Sequence, residues 1–159
     1  MDKSKPWYET IVFPALLRHS RTVYGVAMHK ALAEAGYDDV PKNGLYVIGG
    51  LALGAGGVPL GQLVKELGVS KQAAGQLVDT LVLRGYLERT EDTEDRRRSN
   101  LTLTKRGHAA AAIQAAARKK IDAQLLARVG PENLLRTRQT LAALIDLGRE
   151  TSGEKEVEH

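Results

Sequence analysis

The chain has 159 residues, of which 43% are hydrophobic, 26% charged and only 4% aromatic, with a net charge of +4 and a pI near 9.4. This length and balance describe a folded chain with a real core, not a disordered one, and the basic surplus favours an anionic partner without identifying it. The lack of cysteine excludes disulfide staples, thiolate nucleophiles, thiol redox sensing and Cys-ligated zinc, and with no signal-peptide core or bilayer-length apolar run a cytoplasmic protein is expected.

In chain order, Trp7, Ile11, Ala15, Val23, Val26, Ala27 and Ala31 recur at helical spacing and predict helix over 7–36. Pro14 interrupts it, so the segment is either kinked there or split into a short and a long helix. Gly36 ends it, and Asp38-Asp39-Val40-Pro41 reads as a connection. A second helix is predicted from Lys42 to about Leu53, closed by the turn-rich GAGGVP of 54–59. Two further helical stretches follow, PLGQLVKEL and SKQAAGQLVDTLVL, joined tightly through Gly68-Val69. Ser70 is placed to cap the second of them, because its side-chain oxygen can accept from the orphan N–H groups of the first turn.

Helices joined by such a turn can lay the second across a DNA major groove. In that second helix Ala74, Leu77, Val78 and Leu81 form an apolar face, expected to pack against Leu63, Val64 and Leu67. The opposite face carries Lys71, Gln72, Gly75, Gln76 and Asp79. Glutamine can bond adenine edges bidentately, and lysine reaches phosphate or guanine. A mid-helix glycine costs about 1 kcal/mol relative to alanine, so Gly75 is either rewarded by a close approach or simply tolerated. Taken alone, the same residues also describe an ordinary helix pair with a polar outer face.

Strand-like runs, Tyr86–Thr90 and Asn100–Leu103, then flank a charged tip in which Glu91, Asp92, Glu94 and Asp95 precede Arg96, Arg97 and Arg98. A narrow minor groove attracts inserted arginine. Alternate side chains on an extended strand face opposite ways, so one arginine would enter the groove while its neighbours face phosphates or the chain's own acids. Asp95 is suited to hold an arginine fork through paired charge-assisted hydrogen bonds. Thr104 can cap the next helix, which runs to Val129; Gly130-Pro131 stops it, and a final helix continues to about Leu147 before a polar tail over 149–159.

Other motifs carry less. The run GGLALGAGGVPLGQ (49–62) lacks the Lys-Ser/Thr of a phosphate loop and the GxGxxG spacing, and reads as a helix end and turn. His19, His29, His108 and His159 are scattered without metal-ligand spacing, and no nucleophile elbow frames a serine. Arg118, Lys119 and Lys120 read as part of an exposed helix. No cofactor, metal or catalytic constellation is expected.

The stretch DRRRSNLTLTKRG (95–107) resembles the wing signature of MarR-family transcriptional regulators, an Asp-x-Arg followed by Leu-Thr-x-x-Gly. Upstream, LGQLVKELGVSKQAAGQLVDTLVLRGYLER (60–89) is similar to that family's helix-turn-helix, and the helix order extends the likeness over roughly 10–148. The resemblance implies a mainly α chain with a small β-hairpin wing: a winged helix-turn-helix over 42–103, flanked by N- and C-terminal dimerisation helices at 7–36 and 104–148. It implies a homodimeric, ligand-responsive regulator, most often a repressor, on an inverted-repeat double-stranded DNA operator.

By position, Arg97 matches the groove-inserting wing arginine, with Arg96 and Arg98 beside it and Asp95 as supporting acid. Ser70, Lys71, Gln72 and Gln76 fall where the family contacts DNA. Gly75 stands where a hydroxyl residue is usual and Gln76 where arginine is frequent, departures that bear on operator preference. The family's small phenolic or lipophilic effectors would place His19, Tyr24 and Tyr46 around a ligand, while ordinary core or surface packing explains those three more readily. A different class of function, a winged helix serving as a protein-interaction or assembly module, would pair Arg96–Arg98 with an acidic partner.

Overall fold

The computed structural model describes residues 4–54, 58–59, 65, 67–91, 99–151 and 153. In chain order its elements are α1 (Trp7–Thr10), α2 (Phe13–Glu34), α3 (Gly44–Leu53), β1 (Val58–Pro59), α4 (Lys71–Leu83), β2 (Leu87–Glu91), β3 (Ser99–Leu103), α5 (Lys105–Val129) and α6 (Pro131–Thr151). Lys65 and Leu67 are helical ahead of α4, while Leu63 and Val64 lie outside the described residues. The chain divides into two compact units, residues 1–119 and 120–159.

In the first unit, Pro14 sits in the first turn of α2, where a missing N–H is no loss. The N-terminal segment therefore splits in two instead of kinking. Helices α2 and α4 end the same way. Gly36 (φ 88°) and Gly85 (φ 80°) adopt the left-handed conformation. Their N–H groups bond Ala33 O and Val82 O, and the next residues, Tyr37 and Tyr86, bond Leu32 O and Leu81 O. Both are Schellman closures, which glycine makes without steric cost. Each closure delivers a tyrosine to the same place: the two rings lie 6.3 Å apart, and the Arg106 guanidinium sits 5.1 Å from the Tyr37 ring and 4.6 Å from that of Tyr86.

The sheet has three strands, not the two the sequence predicts, in the order β1-β3-β2 with both pairings antiparallel. Val58 and Pro59 of the expected turn lie opposite Leu101 and Asn100. Proline has no ladder donor and suits this edge position. The β2–β3 register sets Leu87 against Leu103 and Arg89 against Leu101. Leu87, Leu101 and Leu103 are buried while Glu88 and Arg89 are exposed, so the alternating Leu-Thr-Leu of β3 turns its leucines inward.

Those leucines join Leu32, Val47, Ile48, Leu51, Val78, Leu81, Tyr86, Ala110 and Ala111 in one core. The predicted apolar face of α4 is the buried one: Ala74, Val78 and Leu81 are inaccessible, and Leu67 and Leu77 pack partly against the cluster. Gln114 of α5, almost fully buried, donates from Nε2 to Leu45 O at 2.8 Å and so ties α5 to α3.

Helix α5 starts where Thr104 predicts. Its Oγ1 accepts from Gly107 N–H at 3.1 Å and donates to Gly85 O, while its N–H bonds Tyr86 O at 3.1 Å. A Cβ on Gly107 would lie 2.1 Å from Tyr86 O and 3.0 Å from Leu103 Cδ2. Only glycine lets the helix start this close to the strand.

In the second unit, α6 runs to Thr151, past Leu147, so residues 149–151 of the expected tail are helical. Nothing breaks the helix there: Gly148 is tolerated, and the next positive φ comes at Gly153 (70°). None of the 21 residues of α6 is buried, and Leu135, Leu144, Ile145 and Leu147 are exposed.

Two outcomes follow from the α4–wing–α5 junction. Gly107→Ala should lower stability in urea unfolding by about 1–3 kcal/mol, the overpacking cost outweighing alanine's better helix propensity. The Tyr86 hydroxyl is pushed up to about 12, first by burial and then by the Asp39 carboxylate that accepts its hydrogen bond. A group with a raised folded pKa contributes stability that is complete below its unfolded value and is lost as pH rises through the folded one. The melting temperature should therefore fall between about pH 10 and pH 12, and Tyr86→Phe should remove that part of the fall.

Candidate nucleic-acid interface

Helix α4 presents the predicted polar face. Ser70, with φ −62° and ψ 153°, is its N-cap, and its Oγ accepts from Ala73 N–H at 3.1 Å. One lone pair of the hydroxyl is thereby committed to the fold, and its proton remains available to an outside acceptor. Lys71, Gln72 and Gln76 are exposed and have no side-chain hydrogen bond or ion pair among the described residues. A 13-residue helix buries one side completely and leaves three unspent polar side chains on the other.

Asp79, the acid on that face, is accounted for internally. Arg89 of β2 donates to its Oδ1 in an exposed ion pair. The pair adds little stability at the surface, but it sets a cation against a charge that would otherwise repel phosphate. It also links the outer side of α4 to the middle of β2.

On the far side of the hairpin base, Asp39 gathers three donors. The Tyr86 hydroxyl and Arg106 Nη2 (3.1 Å) reach its carboxylate, and Arg84 Nη1 reaches its carbonyl. The Tyr86 hydrogen bond and the Arg106 charge hold the Asp39 carboxyl below its ordinary value, against a smaller opposing effect of desolvation. The sequence reading took Asp38-Asp39 only as a connection and missed this role. The signal was there in retrospect: an acid three residues beyond one Schellman glycine and an arginine beside the other.

Asp95, Arg96, Arg97 and Arg98 lie outside the described residues. The described strands end at Glu91 and Ser99, which pair with each other.

Between α2 and α3 lies a cavity of about 730 Å³. Arg18, Arg21, His29 and Lys42 line it together with Val26, Leu45 and Tyr46, and no Asp or Glu is among its lining residues. The Arg21 guanidinium stacks 3.8 Å above the Tyr46 ring, and His29 Nε2 lies 3.1 Å from Lys42 O. A smaller cavity of about 320 Å³ shares Arg21, Lys42 and Asn43 and reaches Ala73 and Leu77 of α4. Of the three residues singled out for a ligand, Tyr46 lines the larger space, whereas exposed His19 and half-buried Tyr24 are not among its lining residues. Arg18, Arg21 and His29 were missed, although positions 18, 22, 25 and 29 form one stripe at helical spacing. Among the described residues no cluster of three His, Asp or Glu side chains is placed to hold a metal, and no helix is long and apolar enough to cross a membrane.

A model of the MarR family matches residues 45–98. No curated protein sequence matches the chain. Among solved structures, a transcriptional regulator from Thermotoga maritima is 25% identical, covering 91% of this chain and 98% of its own, with a TM-score of 0.56. Apo MarR from E. coli is 18% identical over 84% of this chain and 97% of its own, with a TM-score of 0.64. FabT from Streptococcus pneumoniae, solved in complex with DNA, is 20% identical over 88% of this chain and 99% of its own, with a TM-score of 0.68. Residues 45–98 are therefore a MarR-family segment, carried in a chain with the mainly helical, hairpin-bearing fold of the MarR-family transcriptional regulators.

Proposed function

We propose that the chain is a sequence-specific DNA-binding transcriptional regulator, acting as a homodimer and responsive to a small anionic ligand, with repression as its mode. The observation that carries this reading is the outer face of α4: Lys71, Gln72 and Gln76 stand exposed and, among the described residues, unpaired on a helix whose other side is packed into the core. Gln72 and Gln76 would read adenine edges in the major groove, with Lys71 and the Ser70 hydroxyl on phosphate or base. The solved DNA complex of FabT, a chain of the same fold, supports that placement. Arg97 at the wing would enter the minor groove, flanked by Arg96 and Arg98 and held by Asp95.

Two sets of exposed apolar side chains support dimerisation. Trp7, Tyr8, Phe13, Val23 and Val26 are open on α1 and α2, and Leu135, Leu144, Ile145 and Leu147 on α6. A second copy would cover such surfaces, which monomeric proteins rarely expose. The ligand would occupy the 730 Å³ cavity, where Arg18, Arg21 and Lys42 answer a carboxylate or phenolate and Tyr46 and Val26 an aromatic ring. Arg21 then has two competing partners, the Tyr46 ring and the bound anion.

Selection from random duplexes should recover an inverted repeat, since two-fold symmetry in the protein is mirrored in its site; recovery of no enriched motif would count against the whole reading. On the selected duplex, Gln72→Ala or Gln76→Ala should each lose about 1–3 kcal/mol of discrimination at one base pair. Arg97→Ala should weaken binding by about tenfold, the size of one lost charged hydrogen bond, with folding and dimerisation intact. In gel shifts with a panel of aromatic carboxylates and phenols, any ligand that releases wild-type protein should fail to release Arg21→Ala; equal release from both would remove Arg21 from the ligand site.

A further inference from the structure

Gly75 lies in the middle of α4, three residues after Gln72 and one before Gln76. Helical glycine is costly because it gives up more backbone freedom than any other residue. Where the fold needs one, a neighbour explains it: a Cβ on Gly107 would strike the Tyr86 carbonyl at 2.1 Å. At Gly75 the same test finds no atom within 4 Å and the φ is not positive, so nothing among the described residues stands against alanine. Gly50 of α3 is equally open, so openness alone assigns no role. What separates Gly75 is its place. Lys71, Gln72, Gln76 and Asp79 are its i−4, i−3, i+1 and i+4 neighbours, which puts a gap with a backbone floor in the centre of the unspent polar face.

The chemistry of the surrounding side chains fixes what fits the gap. Two glutamines at i and i+4 select adenine, and every A·T pair carries the thymine C5-methyl into the same major groove. That methyl is the one apolar group standing out from the groove floor. It needs a shallow apolar seat, and the bare Cα of Gly75 beside the glutamine stems provides one. Alanine would fill the seat with a methyl of its own. Resting on the DNA-binding reading above, we infer that Gly75 is a specificity-determining residue that lets α4 close onto the groove and seats a thymine methyl beside the adenines read by Gln72 and Gln76. The role accounts for the glycine that departs from the family pattern, and it predicts that stability and recognition pull against each other at this position.

The experiment uses the full-length protein and the duplex selected by the wild type, with each thymine replaced in turn by uracil, which lacks only the methyl. One position per half-site should lower wild-type affinity by about threefold or more, the value of one buried methyl. Gly75→Ala should melt roughly 2–4 °C higher, bind the thymine duplex about tenfold more weakly, and lose its sensitivity to uracil at that position. Gly50→Ala should melt higher and bind like the wild type. If Gly75→Ala binds the selected duplex as tightly as the wild type, the inference fails and the DNA reading stands. If it binds more weakly but no thymine responds to uracil, the thymine seat is wrong. If the wild type selects no duplex, the DNA reading fails and the inference falls with it.

Discussion

The carbonyl of Tyr86 is the point on which the arrangement of α4, the hairpin and α5 depends. It accepts the Thr104 N–H at 3.1 Å, and the first turn of α5 comes so near that position 107 has no room for a side chain. The Thr104 hydroxyl completes the joint by donating to Gly85 O and accepting from Gly107 N–H. The C-terminus of α4, the base of the hairpin and the start of α5 are thereby fixed within a few residues of one another. Helix α4 and the β2–β3 hairpin therefore keep a constant spacing. This joint supplies it through backbone groups and one hydroxyl, which have far less freedom than long side chains.

Around that joint the arginines divide by task. Arg106 is enclosed by Tyr37, Tyr86 and Asp39, and Arg89 is engaged by Asp79. These cations are spent on the protein's own acids and rings. Arg21 is different: its partner is an uncharged ring at the wall of a cavity that no acid lines. A cation held by a π face gives up less to a passing carboxylate than one already paired with a carboxylate. The cavity is accordingly the place among these where an incoming anion meets the least internal competition.

What the sequence made legible was local. Gly36, Gly85 and Gly130 ended helices because a left-handed residue there needs only its own turn, and Ser70 and Thr104 capped helices through hydroxyls three residues from their targets. The buried side of α4 followed from spacing alone. The mainly helical fold with a hairpin, and the likeness to the MarR family, were legible from the helix order and from residues 60–107, which overlap the 45–98 that the family model matches. What was missed was non-local. Val58-Pro59 forms a strand only because β3 lies beside it, and two residues carry no periodicity. The three donors that converge on Asp39 come from residues 45 to 67 positions away in sequence. The cavity residues required the closeness of α2 and α3, although the stripe on α2 was readable. The wing arginines, the most family-like feature, fall outside the described residues.

The treatment of acids near the reading helix bears on how the surface can meet a polyanion. A net charge of +4 over 159 residues is too small to decide binding by itself. Local arrangement matters more, because screening at physiological salt limits an exposed charge to about 8 Å. The acid of α4 itself is Asp79, and Arg89 sits against it. Removing Arg89 would leave the fold nearly as stable, since an exposed pair contributes little. It would nevertheless leave a bare carboxylate on the outer face of α4. The pair therefore bears on the charge of the α4 face more than on stability, and under the proposed DNA-binding function its effect would show in salt-dependent affinity before it showed in melting.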